Sequence, residues 1–133
     1  MAKLVLTNAN VTLGGTDVSS YVASVTLNIS VNEVETTAFG SGATTRVGGL
    51  QDNSVTLSMH QDFSAIEGLI YPLIGSTTSL VVKPNGTAVG TANPSYTMTP
   101  LITEHTPVNG AVGELAVLDL TWPVSGTVTK ATA

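Results

Sequence analysis

In Ser24-Val25-Thr26-Leu27-Asn28-Ile29-Ser30-Val31 every second residue is apolar. Only an extended strand puts such residues on one side, so Val25, Leu27, Ile29 and Val31 share a buried face while the hydroxyls and the amide look outward. Asn53-Ser54-Val55-Thr56-Leu57-Ser58-Met59 repeats the pattern, as do Ala116, Leu118, Leu120 and Trp122. Shorter runs rich in Thr and Val, Lys3–Thr7, Val11–Leu13, Thr78–Val82 and Ser95–Glu104, also read as strands. Gly14-Gly15 and Pro84-Asn85-Gly86 supply turns, because glycine and asparagine tolerate positive φ. The chain is therefore expected to be nearly all β.

One segment departs from this period. Between Asp62 and Ile74 the residues Phe63, Ile66, Leu69, Ile70, Leu73 and Ile74 fall three and four apart, which predicts one short helix with a single apolar stripe over about residues 63–74. Ser64 with Glu67 three residues later reads as a capping box, and Gly75 as the stop. Gly68 and Pro72 shorten the helix and make it depend on packing. Two stretches lack periodicity: Thr87–Pro94, and Ala38–Leu50, which has four glycines in thirteen residues. The latter is long for a connection in a compact domain and reads as an arm. At 133 residues, with no internal repeat or low-complexity linker, residues 1–133 are expected to form one domain.

Hydrophobic residues make up 42% and charged residues 10% of the chain, against a typical charged share of roughly 25%. A surface so poor in ions is weakly protected against self-association, and burial against neighbours is the expected remedy. Strand edges are left with few of the usual guards, since lysine is sparse and no proline interrupts the clearest strands. Nine acids against four bases give a net charge of −5. Lys3, Arg46, Lys83 and Lys130 stand singly, so no basic stripe for gripping phosphates exists. The absence of cysteine rules out disulfides and thiolate metal sites. Met1-Ala2-Lys3 leads straight into a β-like run without the features of a signal peptide, and no run approaches the roughly 20 apolar residues of a membrane span. A cytoplasmic setting without membrane partners is expected.

Catalysis needs a nucleophile or an acid/base pair beside an orienting group. His60 and Asp62, with Ser54 or Ser58, offer such a set, but alternation places all four on the polar face opposite Val55, Leu57 and Met59, where polar residues belong anyway. No catalytic residue is assigned, and no cofactor. His105 beside Glu104 shows no metal-ligand spacing. Glu33 and Glu35 share a strand face, yet calcium wants six or more oxygens, so they read as an acidic edge and not a metal site. Gly40-Ser41-Gly42 and Gly48-Gly49 lack the Lys-Ser/Thr pair and following helix of a phosphate loop. Trp122, Tyr21, Tyr71 and Tyr96 are the ring types of a sugar platform, but Trp122 continues the apolar face of Leu118 and Leu120 and is expected in the core.

From Glu33 to Asp62 the chain resembles siphophage-type tail-tube (major tail) proteins, in their short actinobacteriophage version. Val34-Glu35-Thr36-Thr37, a glycine-rich arm, Arg46, Gly49-Leu50, Asp52, the strand Val55–Ser58 and the helix follow in the family's order. Asp17-Val18-Ser19-Ser20-Tyr21-Val22 resembles its opening, and Trp122-Pro123-Val124-Ser125-Gly126 its final strand. The resemblance implies a β-sandwich or open barrel with one flanking helix. It implies six copies in a ring, inner sheets joined into a barrel, and rings stacked into the conduit for DNA ejection. On this model the arm docks on a neighbour through Phe39, Thr44, Arg46 and Leu50, with Arg46 paired to an acid there. Glu33 and Glu35 become candidate lumen or edge acids past which the genome slides without specific binding. Implied partners are copies of the chain and other phage tail or capsid proteins; the implied location is the virion tail, assembled in the bacterial host cytoplasm. A capsid decoration or minor capsid protein of related β fold is the alternative, with a sugar-binding module and an enzyme behind it.

Overall fold

The computed structural model describes residues 3–133. Among the described residues there are ten strands and one short α-helix. In chain order they are β1 (Asn10–Leu13), β2 (Thr16–Asp17), β3 (Val22–Asn28), β4 (Val31–Glu35), β5 (Arg46–Gln51), β6 (Asn53–His60), β7 (Leu80–Lys83), β8 (Ser95–Met98), β9 (Val117–Val124) and β10 (Thr129–Ala131). Helix α1 (Glu67–Ile70) follows β6 and runs into a 3-10 turn at Tyr71–Leu73. A five-stranded sheet has the order β10-β8-β7-β1-β2, a three-stranded sheet the order β3-β6-β9, and β4 pairs only with β5. Every named pairing is antiparallel.

Two of the three alternating segments behave as their period requires; the third does so only as far as Leu27, since its strand ends at Asn28 and Ile29 and Val31, expected on the buried face, are about half exposed. In β6, Asn53, Val55, Leu57 and Met59 are buried, and in β9 Leu118, Leu120 and Trp122. Register lines up Val25, Leu57 and Leu120 across the three strands, one rung of a shared apolar face. Val11, Leu13, Leu80, Val82 and Met98 of the larger sheet meet this face in a single cluster that also takes in Ile66, Ile70 and Ile102. Trp122 lies in it at 0% exposure, and its indole N–H donates to the Glu104 carbonyl at 3.0 Å. The ring therefore packs as core with its one donor satisfied, as alternation indicated.

Several local expectations need correction: the strand expected over Ser95–Glu104 stops at Met98, with only isolated bridges at Pro100 and Leu101 beyond it, and the one expected over Thr78–Val82 runs Leu80–Lys83. Lys3–Thr7 is not a strand: Leu4, Val5 and Leu6 lie exposed, and the first link is an isolated bridge from Asn8 to Asn85. A β-prone sequence gains its ladder only where a partner edge exists, and the chain offers none here. The α-helical part of 63–74 shrinks to Glu67–Ile70, preceded by turn residues and followed by the 3-10 turn around Pro72. The helix has no side-chain cap, and the turn that leads into it is held by Asp62 and not by Ser64. The Asp62 carbonyl accepts from Ala65, Ile66 and Glu67 N–H, while its carboxylate accepts from the Ser64 amide at 3.0 Å and the Ser64 hydroxyl at 2.7 Å. Ser64 thus donates where a capping serine would accept. Gly75 does end the element, at φ +85, with its N–H on the Ile102 carbonyl.

The connection from β1 to β2 uses Gly14 and Gly15, both at positive φ (59 and 87), as a two-residue hairpin demands. Pro84-Asn85-Gly86 works differently: Gly86 is not among the positive-φ glycines, and the loop is held instead by the buried Asn93 side chain. Its amide group donates to the carbonyls of Asn85, Thr87 and Ala88, and its oxygen accepts from the Asn85 N–H at 3.0 Å.

Candidate assembly surface

β4 continues β3 and β5 leads into β6, so the two pairs make one long ribbon whose outer half leaves the body. Every residue of β4 and β5 is exposed. The arm foreseen as a loop over Ala38–Leu50 is therefore a hairpin. Its irregular tip spans only 36–45, while Arg46–Gln51 is strand. Gly48 and Gly49 hid that strand from periodicity, and the structure shows why they stand there. A Cβ on Gly49 would come within 3.0 Å of Val34 and 3.2 Å of the Asn32 carbonyl, and one on Gly48 within 3.2 Å of Val31. The register slips in this region, between Val31 and Glu33, where a bulge brings the strands close.

The arm is clamped at both ends. At its root Asp52 N–H donates to the Ser30 carbonyl at 2.8 Å, and the Ser30 hydroxyl returns a bond to the Asp52 carbonyl. Asn53, 1% exposed, reaches Gln51 and the Gly126 carbonyl, both at 3.2 Å. Near the tip Thr36 N–H bonds the Thr45 carbonyl at 2.8 Å, and the two hydroxyls lie 2.8 Å apart. Of the residues singled out from the sequence, Phe39 and Thr44 lie in the tip, Arg46 opens β5, and Leu50 lies near the root. Arg46 forms an ion pair with Glu33 of the same arm. Opposite Arg46 in register stands Glu35, so two acids face one base.

The apolar content of this projection has no cover. Phe39 is 109% exposed, Leu50 79%, and Ile29, Val31, Val34 and Val47 about half. Large apolar side chains left in water in this number mark a surface that a partner would cover. The body has a matching defect. Among the described residues no strand pairs with the outer edge of β3. Beside it lies an apolar groove of about 420 Å³, with Leu6, Leu27, Ile29, Val82 and Tyr96 in its walls and Lys83 as its only charged residue.

The opposite edge of the same sheet is covered along most of its length. Along β9, Val117 N–H donates to Asn109, Leu101 N–H to the Pro123 carbonyl, and Ser125 N–H to Thr99. Thr121 N–H finds the Glu104 carboxylate at 2.6 Å, and Pro123 has no N–H to offer. The sheet is thus guarded on one side and open on the other.

The enzyme-like set does not come together. The Asp62 carboxylate serves the helix start and accepts from the Tyr21 hydroxyl at 3.2 Å, and Ser54 and Ser58 stand on the open sheet face. The hydroxyl and amide of Ser64 hold the Asp62 carboxyl below its ordinary value, and the bond to Asp62 raises Tyr21. Sequence reading missed the pairing of His105 with Glu67, 38 residues away. The ring is nearly fully buried, its Nε2 lies 2.8 Å from the carboxylate, and Gln61 bonds both that carboxylate and the Pro107 carbonyl. This polar knot ties the 105–107 segment to α1. Among the described residues no cluster of three or more potential metal ligands occurs, and no helix is long and apolar enough to cross a membrane.

No protein-family model and no curated protein matches the sequence. Solved structures do match its fold. A chain from the virion of a native gene transfer agent particle superposes with a TM-score of 0.79 at 11% identity, over 97% of this chain and 99% of that one. A chain from the sheath/tube terminator of an extracellular contractile injection system, PVC, in its extended state gives 0.73 at 16% identity, covering 98% of each. One from the PVC sheath–tube complex, also extended, gives 0.72 at 14%, over 98% and 93%. The fold is thus the mainly β, single-helix fold of tail-tube-like proteins from virions and injection systems.

Proposed function

We propose that the chain is a structural subunit of a phage tail tube, forming stacked rings, six copies to a ring, that serve as the conduit for DNA ejection. The observation that carries this reading is the pairing of unfinished strand edges with an uncovered apolar arm on a body of tail-tube-like fold. The outer edge of β3 and β4 lies on one side of the ribbon and that of β5 on the other. Two different edges make a head-to-tail contact, and such contacts close into rings or continue as filaments. Neighbouring sheets join through them into a continuous wall.

The open face of the β3-β6-β9 sheet suits the inside of that wall. It presents Ser24, Thr26, Asn28, Thr56 and Thr121 with Asp119, and none of the four bases. Small hydroxyls give little to pack against, and a carboxylate repels phosphate, so DNA passes without being held. The protein acts with copies of itself and with other tail proteins, resides in the virion tail, is assembled in the host cytoplasm, and has no catalytic role. Deleting Ser41–Thr45 tests the arm's part. The variant is expected to remain a folded monomer by circular dichroism and gel filtration and to form no tubes. Normal tubes from it would refute the reading.

A further inference from the structure

We infer that the groove beside β3 is the receptor for the arm of a second copy, with Phe39 seated in it and Glu35 against Lys83. The inference rests on the tube reading and adds the surface that receives the arm. Three observations select this occupant. The tip presents one large aromatic side chain wholly to solvent, and the groove is an apolar concavity on the body, lined by Leu27, Ile29, Val82 and Tyr96. A ring of this kind brings roughly 150–250 Å² of surface into such a pocket. Second, the charges are complementary. Arg46 is taken by Glu33, which leaves the arm one acid in excess at Glu35, and the groove holds Lys83 and no acid. The Lys83 ammonium bonds the Thr87 carbonyl at 3.2 Å and makes no ion pair among the described residues, so it keeps donors free.

Third, both partners are shaped before they meet. The clamps at Asn53 and at Thr36–Thr45 stiffen the arm, and Asn93 fixes the loop that begins at Pro84 in the groove wall. Preorganised surfaces lose little freedom on docking. The groove lies along the body and the arm leaves its end, so each copy uses two different surfaces, in keeping with a head-to-tail array.

The test uses the full chain. Phe39→Ala, which removes no contact within a copy, is expected to raise the concentration needed for assembly at least about 30-fold, as for an interface anchor. Glu35→Lys and Lys83→Glu are each expected to abolish assembly while the monomers stay folded by circular dichroism. Combining the two is expected to restore it. If the parent assembles but Phe39→Ala assembles equally well, or the double exchange fails to rescue, the groove assignment is wrong and the tube reading stands. If the parent does not assemble at all, the tube reading fails, and this inference with it.

Discussion

Asn93→Asp changes one atom's chemistry and almost nothing of its shape, which makes it a sharp probe of how the loop beside the groove is built. The Asn93 side chain is 8% exposed and its amide nitrogen lies 3.0, 3.0 and 3.1 Å from the carbonyls of Asn85, Thr87 and Ala88, and 3.3 Å from the Thr87 hydroxyl. Two protons are shared among four acceptors. An aspartate accepts the Asn85 N–H as before but donates nothing, and its charge faces three carbonyl oxygens. Losing two protein hydrogen bonds costs about 1–3 kcal/mol, and the buried repulsion raises the total to about 3 kcal/mol. For a domain of this size that corresponds to a fall of about 10 °C in melting temperature. Thermal unfolding by circular dichroism in dilute solution at pH 7 reads the total, and hydrogen exchange at the Asn85 amide reads the loop. Partial recovery below about pH 4 is expected, since a protonated carboxyl regains one donor. A variant that melts within about 2 °C of the parent, with unchanged exchange at Asn85, would refute the argument.

Trp122→Ala is expected to cost about 4 kcal/mol in chemical denaturation, because it empties the middle of the core and unpairs the Glu104 carbonyl; a cost under about 1 kcal/mol would mean the ring is not core. Stability is also expected to fall in acid. The hydroxyl and amide of Ser64 depress Asp62, and those of Ser19 depress Asp17, so their stabilisation is complete above the ordinary carboxyl range near pH 4 and disappears as pH drops through the lowered values. Urea midpoints between pH 6 and pH 2 should therefore decline less in Asp62→Asn than in the parent, and equal declines would contradict this.

How much of this was legible in the sequence depended on whether the physics was local. Strands β3, β6 and β9 were readable because one buried face imposes a period of two, and the fate of Trp122 followed from the same rule. Strand β5 was not, since the two glycines that let the arm's strands approach also erase the alternation. Lys3–Thr7 failed in the opposite way: its composition suits a strand, but composition cannot supply a partner edge. The helix was located correctly and overextended, because Gly68, Pro72 and the Asp62 turn limit it more than its apolar stripe suggests. The His105–Glu67 pair joins residues 38 apart, and nothing in either neighbourhood signals the other. For the candidate assembly surface, the arm's residues and its acids can be named from the sequence because they lie in one continuous stretch. The apolar groove proposed to receive them draws most of its lining from β3, β7 and β8, and only the folded chain brings those together.

Electron microscopy of the purified protein, with its mass measured by sedimentation across a range of concentrations, addresses the central claim directly. Stacked rings or tubes with a central channel are expected, growing in number as concentration rises. A particle that stays monomeric at high concentration, or trimers that gather only on a capsid shell, would contradict the account.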